Sequence, residues 1–196
     1  MNSDRYKSFD ELAASEDASA FRIEAEKRNS SICVLAPHGG KIELGTSDLA
    51  RAVAGNRLSY YLFEGRKPKA NRDLHVTSAN FNQPQAIAVV ESSDVALAMH
   101  GCEGDGEVIY LGGRHSKLAA SIAKALSNRG FSVGTHKNPS LQGIDRSNIF
   151  NRGKLGMGVQ FEITQALRVR LTDKKGQLKA PSLKDFVDAI NEGLSQ

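Results

Sequence analysis

Apolar residues along the chain fall into short runs separated by glycine, asparagine and charged stretches, and two spacings alternate: period two and about 3.6. Phe21-Arg-Ile-Glu-Ala-Glu alternates like a half-buried strand, whereas Ser31-Ile-Cys-Val-Leu-Ala and Asp94-Val-Ala-Leu-Ala-Met are apolar throughout, as central strands are. Leu58-Ser-Tyr-Tyr-Leu-Phe, Glu107-Val-Ile-Tyr-Leu and Phe131-Ser-Val-Gly-Thr read as further strands, and Leu74-His-Val-Thr as a brief strand or extended piece. Met157-Gly-Val-Gln-Phe-Glu-Ile alternates again, with Met157, Val159, Phe161 and Ile163 on one face and Gly158, Gln160 and Glu162 on the other.

Helical spacing occupies the intervals. Thr46 and Ser47 offer N-caps for a helix over 48–54 that Gly55 closes, and Pro84 suits the first position of a helix through Val90. Leu118, Ala119, Ile122, Ala123 and Leu126 mark a helix over 116–129 stopped by Gly130. A Ser182 cap with Asp185 three residues on opens the last helix, through Phe186, Val187 and Ile190. The segments 65–71, 100–106 and 137–156 read as loops. Interleaved strands and helices predict a single α/β domain over 1–196, with helices on both faces of a mixed, largely parallel sheet. Functional residues in such folds sit just past the carboxyl ends of strands.

The chain has 196 residues, 40% of them hydrophobic and 24% charged, an ordinary globular composition long enough for a core without disulfides. Cys33 and Cys102 are too far apart for a Cys-x-x-Cys motif. The polar, acidic stretch 1–21 lacks a signal-peptide core, and no run approaches the roughly 20 apolar residues of a membrane span, so cytoplasmic synthesis is expected, with action outside the cell possible after lysis.

The net charge of +4 conceals segregation. Six bases (Arg51, Arg57, Arg66, Lys67, Lys69, Arg72) lie between Arg51 and His75 against two acids, and seven bases between Gly112 and Arg152 against Asp145 alone. Stretch 91–107 holds five acids and no base. Such blocks suit either solvated faces or a groove for a polyanion.

No phosphate-binding loop, His-Glu-x-x-His or Gly-x-Ser-x-Gly is present. The chemistry gathers instead at Ala36-Pro-His-Gly-Gly-Lys-Ile-Glu43, directly after a central strand. Its paired glycines allow a tight reversal that brings His38 and Glu43 together, and His100 ends the second central strand. If those strands are parallel neighbours, both imidazoles emerge at one edge, and His38, Glu43 and His100 form the His2Glu set of a catalytic zinc site; taken singly, each histidine could equally be a structural hydrogen-bonder. Glu162 is the candidate general base. Arg152 and Arg72, each just ahead of an extended segment, are candidates to polarise a carbonyl or hold a substrate carboxylate, with Asn151 beside Arg152. His75 is a possible further ligand, ligand support or substrate contact, while His115 and His136 are read as incidental and Cys102 as a weak thiol-nucleophile alternative.

Taken in order, Ala36-Pro-His-Gly-Gly with Glu43, Gly45-Thr-Ser, Tyr61-Leu-Phe-Glu-Gly65, Leu74-His-Val-Thr-Ser78, Met99-His-Gly-Cys102 and Gly156-Met-Gly-Val-Gln-Phe-Glu162 resemble the poly-gamma-glutamate hydrolase family of bacilli and their phages, across nearly the whole chain. The resemblance implies a reduced zinc carboxypeptidase-like sandwich around a mixed sheet. It implies one Zn2+ on His38, Glu43 and His100, with Glu162 as base. Four residues separate His38 from Glu43, where the carboxypeptidase pattern is His-x-x-Glu, so the link to that larger group rests on fold. The implied function is metal-dependent hydrolysis of γ-glutamyl amides within a polyanionic polymer, the basic blocks holding its α-carboxylates. A monomer acting without nucleic acid or membrane is expected. Two other readings remain: a zinc amidase on small γ-glutamyl or cell-wall peptides, and a non-enzymatic polyanion or nucleic-acid binder, which would need no metal and would weaken steeply with salt.

Overall fold

A computed structural model of the chain describes residues 4–104 and 106–195; of the segments read from sequence, Met1–Ser3 and Asp105 lie outside the described residues. The elements are α1 (Phe9–Ser15), β1 (Phe21–Glu26), β2 (Ile32–Gly40), α2 (Thr46–Ala54), β3 (Ser59–Gly65), α3 (Pro84–Ser92), β4 (Val95–Cys102), β5 (Val108–Gly113), α4 (Ser116–Asn128), β6 (Ser132–Gly134), β7 (Val159–Thr164), α5 (Gln165–Thr172) and α6 (Leu183–Leu194). The seven strands form one sheet in the order β1-β3-β2-β4-β7-β5-β6. Its central strands β3, β2, β4 and β7 run parallel, while β1 joins β3 and β5 joins β7 antiparallel. The expected mixed, largely parallel sheet is therefore present, and the two continuously apolar runs are its adjacent, parallel centre.

Each sheet face has its own core. Val34, Leu97, Met99, Phe161 and Ile163 pack against α2, α4, α5 and α6 through Leu49, Ile122, Leu126, Leu167 and Phe186. On the other face Leu35, Tyr61, Phe63, Ala96 and Ala98 meet Phe9 and Leu12 of α1, Val89 and Val90 of α3, and the loop residues Val76, Phe81 and Phe150. Covering both faces explains why β2 and β4 are apolar in both phases of the pleat, while β7 alternates and turns Gln160 and Glu162 to the face of the second core.

Local expectations hold where capping chemistry is strong. Ser182 and Asp185 form the reciprocal capping box of α6, and Pro84 is the first residue of α3. Others are corrected. The N-cap of α2 is Gly45 in a left-handed conformation (φ 89°), and Thr46 and Ser47 lie inside the helix, where Thr46 Oγ1 donates to the Glu43 carbonyl and Ser47 Oγ accepts from the Gly40 amide. Of the two readings of Leu74-His-Val-Thr, residues 75–77 take the extended one, while Leu74 closes a 3-10 turn over Asn71–Leu74. Strand β4 continues through His100 to Cys102 before the loop begins. Helices α1 and α5 carry too short or too polar a pattern to stand out from the sequence.

One irregularity places the site. Between β2 and β3 the register passes from Ala36 opposite Leu62 to Gly39 opposite Glu64, so β2 carries one extra residue at Pro37-His38. Strict alternation would send His38 to the face of Val34 and Ala36. The bulge turns it to the opposite face, where its ring meets Phe81 and the ring of His100. Beyond it Gly39 leaves no room for a side chain: a Cβ there would lie 1.8 Å from Ser47 Oγ and 3.0 Å from the Phe63 carbonyl oxygen. Gly39→Ala is expected to push α2 off the sheet and cost about 1–3 kcal/mol, read as a lower urea midpoint with an unchanged m-value; an unaltered midpoint would show the helix is not held at this point.

Candidate metal centre at the ends of the central strands

His38 on β2, His100 on β4 and Glu162 on β7 come to one face of the sheet at its carboxyl edge, His100 and Glu162 directly opposite each other in the parallel register. Glu43 folds back between them. Its amide donates to the His38 carbonyl at 2.9 Å, closing a turn in which Gly40 adopts φ 62°, and its Oε2 accepts the Gly101 amide at 2.8 Å. The reversal anticipated at Gly39-Gly40 is thus made, with the glycines at the strand end.

The donor set can be tested against a metal. His38 Nε2 lies 2.8 Å from the Val76 carbonyl, which can only accept, so Nε2 carries the hydrogen and Nδ1 presents its lone pair to the site. His100 has Nε2 at 3.3 Å from Ser78 Oγ and Nδ1 at 3.1 Å from Nδ1 of His38. Without a metal, one proton can bridge the two Nδ1 atoms. With a cation in its place, both nitrogens become ligands. Glu43 approaches with Oε1 at 3.5 Å from His38 Nδ1 and Oε2 at 3.9 Å from His100 Nδ1. Tetrahedral zinc with bonds of about 2.05 Å separates its ligand atoms by about 3.3 Å, so these spacings fit the ion.

His75 is the fourth group. Its ring stacks on that of His38 with centroids 3.9 Å apart, and His38, Glu43 and His75 offer ligand atoms all within 4.8 Å of one another. His75 Nδ1 is held by Asp4 Oδ1 at 2.6 Å, while Asp4 Oδ2 accepts from the Thr77 amide and hydroxyl, each at 2.6 Å. Asp4 therefore sets the ring angle of a histidine at the site, a role that nothing in the acidic pattern of the first residues signalled. Burial acts to raise the Asp4 carboxyl, but the bonds from His75 and Thr77 outweigh it and hold it well below the usual range.

The electrostatics follow from burial. Burial works to raise Glu43, yet the surrounding His38, His100 and His75 rings draw it down to about 2, so it is ionised. Burial pushes His100 down to about 3, assisted by His38, and so keeps the ring neutral as a ligand must be. Glu162, 5% exposed, is raised well above the usual range by burial first and by the Glu43 charge second. Gln160 Nε2 donates to Glu162 Oε1 at 2.9 Å and fixes its orientation. Cys102 is pushed up to about 11 by burial and by Glu162, which removes the thiolate on which the thiol-nucleophile alternative depends.

The polar residues around the cleft divide. Arg72 lies on the rim, its side chain 69% exposed, with Nη1 3.9 Å from Glu43 Oε1. Arg152 donates to the carbonyls of Ser147 and Ala79. Asn151 is buried; its Nδ2 donates to the Gly143 and Asp145 carbonyls and its Oδ1 accepts the Gly158 amide, so its hydrogen bonds close the 143–158 loop. Much of the first basic block is paired internally: Arg51 with Glu24, Asp48 and Glu64, and Lys67 with Glu16. His115 caps α4, and His136 accepts from the Asn138 amide. Arg168 of α5, buried beneath Gly101, has no sequence motif to announce it; the signal is the glycine directly after His100.

Comparison with known proteins is consistent with this arrangement. The poly-gamma-glutamate hydrolase family matches residues 6–189. The UPF0714 protein YmaC of Bacillus subtilis is 38% identical over 172 residues, 87% of this chain and 73% of that protein. A solved bacteriophage poly-gamma-glutamate hydrolase superposes with a TM-score of 0.90 at 30% identity, covering 98% of this chain and 97% of the other. The zinc-free apo structure of YndL superposes equally, TM-score 0.90 at 30% identity over 99% and 98% of the two chains. A match of that extent, together with the ordered motifs around His38, His100 and Glu162, means that the chain belongs to the poly-gamma-glutamate hydrolase family.

Proposed function

We propose that the chain is a hydrolase that binds one Zn2+ through His38, Glu43 and His100 and cleaves γ-glutamyl amide bonds within poly-gamma-glutamate. Membership of the family and the likeness to the phage enzyme support hydrolysis. The observation that carries the metal is the pair of facing Nδ1 atoms closed by the Glu43 carboxylate. The similar YndL structure, described as zinc-free, points to the same ion. Zinc, when bound, supplies Lewis acidity toward a carbonyl and makes water acidic near neutral pH.

The remaining work falls to side chains. Glu162, one strand along from His100 and oriented by Gln160, accepts the proton of the attacking water and returns it to the leaving amine. Arg72 stands on the rim with its guanidinium largely in solvent, placed to clamp an α-carboxylate while the polymer continues in both directions. Cleavage within the polymer rather than at its ends is part of the same reading. Arg152, tied to the Ala79 and Ser147 carbonyls, and Asn151 act through the loop they hold. His75, whose ligand atom lies within 4.8 Å of those of His38 and Glu43, borders the same site as a substrate contact or a further ligand.

Metal content per chain, paired with viscosity loss of poly-gamma-glutamate before and after stripping the ion, tests the proposal. One zinc per chain with metal-dependent thinning is expected, and His38→Ala should abolish both. Zinc without thinning, but with release of glutamate from short γ-glutamyl peptides, would move the reading to a small-substrate amidase; a metal-free active protein would end it.

Glu162→Gln should lower kcat by about 10²–10⁴-fold and yet stabilise the metal-free protein. Because the folded carboxyl titrates above the unfolded value of 4.5, its ionisation weakens the fold above that pH and not below it. The variant should therefore melt a few degrees higher at pH 7, about 2–4 °C per kcal/mol, with the advantage lost by pH 4; equal melting at pH 7 would remove the buried-charge account.

Arg72→Ala and Asn151→Ala separate binding from support. The first should raise KM about tenfold, the equivalent of one charge-assisted contact, at unchanged Tm. The second should cost about 1–3 kcal/mol through three lost hydrogen bonds, read as a lower Tm. A KM effect of Asn151→Ala at wild-type stability would return that residue to the substrate side.

A further inference from the structure

We propose that Arg168 is a positioning residue: its buried guanidinium ties together the three segments that carry Glu43, His100 and Glu162. Its Nε donates to the Ile163 carbonyl at 2.9 Å, one residue beyond Glu162 on β7, and its Nη1 donates to the Leu44 carbonyl, one residue beyond Glu43. Between these two anchors the group lies flat against Gly101, one residue beyond His100. A Cβ on Gly101 would stand 2.4 Å from Arg168 Cζ and 2.6 Å from Nη2, so a side chain there would displace the guanidinium from its place. The same Gly101 donates its amide to Glu43 Oε2. One guanidinium thus touches the residue after each of the three functional side chains, and it is 5% exposed.

An arginine this deeply buried ordinarily pairs with a carboxylate, yet Nε and Nη1 of Arg168 both donate to backbone carbonyls. The carboxylates of Glu43 and Glu162 lie near enough to oppose the effect of burial on its charge. A lysine could supply the charge but not the planar fork that spans two carbonyls while stacking on a peptide. This inference rests on the metal-hydrolase reading for its consequence and on the contacts of Arg168 for its substance, and the two are tested separately.

In the metal-free protein, Arg168→Met should speed amide exchange at Gly101 at least tenfold while Leu97 and Phe161, in the centres of β4 and β7, keep their protection. Unchanged exchange at Gly101, or uniform acceleration at all three, would overturn the proposal in favour of no role or a general structural one. In the zinc-bound protein, Arg168→Met should weaken zinc binding by about 10–100-fold, the usual reach of residues that support ligands, and Arg168→Lys should resemble it rather than the wild type; a lysine variant with wild-type affinity would reduce the role to charge alone. Gly101→Ala should lower zinc affinity in the wild type and add nothing in the Arg168→Met background, whereas additive losses would contradict the shared contact. If the wild type itself takes no zinc, the proposed function fails while the exchange measurement still decides the role of Arg168.

Discussion

Two imidazole nitrogens 3.1 Å apart in a buried space, with a carboxylate closing over them, are what the remainder of the architecture serves. Neutral rings and an ionised Glu43 must be held out of water in an orientation that leaves Nδ1 free on both histidines. Backbone groups do this holding: the Val76 carbonyl on His38 and the Gly101 amide on Glu43, with the Ser78 hydroxyl on His100. These partners come from a loop and a strand tip that pack only because the second core, around Phe81 and Phe150, forms behind them. Ligand geometry and hydrophobic packing are therefore one problem on this face of the sheet.

The bulge at Pro37-His38 is the device that makes the arrangement possible. A regular β2 would direct His38 toward the helices of the first core and leave His100 facing an empty position. One extra residue exchanges the faces at the last turn of the strand, where proline has no amide to lose and the glycines after it can follow the bend. The cost is concentrated at the carboxyl edge: a carboxyl raised by burial at Glu162, a neutral His100, and a buried arginine bonded to carbonyls. Such features weaken a fold, and their concentration at one edge is what a site shaped for chemistry rather than stability looks like.

The polyanion reading of the charge blocks is narrowed by their pairing. Arg51 and Lys67 serve ion pairs with Glu24, Glu64 and Glu16, so sequence density of bases overstates the positive surface available to a substrate. Arg72, out on the rim with its side chain 69% exposed, keeps its guanidinium largely in solvent, 3.9 Å from Glu43.

Fold class was legible in the sequence, and so was the convergence of His38, Glu43 and His100 on the condition that their strands be parallel neighbours, which the sheet order meets. They depend on local rules: apolar runs mark doubly covered strands, paired glycines permit a reversal, and alternation along 157–163 puts Glu162 opposite Phe161. Asp4, Ser78, Gln160 and Arg168 could not be read that way, because each acts on a partner distant in the chain or, for Gln160, depends on a face whose surroundings the sequence does not give. Asn151 shows the same limit from the other side: its position beside Arg152 suggested substrate, while its contacts, set by how the 143–158 loop closes, are all internal. In a regular strand the period determines which face a residue presents, but at His38 the bulge in β2 overrides it. What meets a residue on its face is decided by tertiary packing, since hydrogen-bond partners are chosen by proximity in space, which neighbouring residues in sequence do not encode.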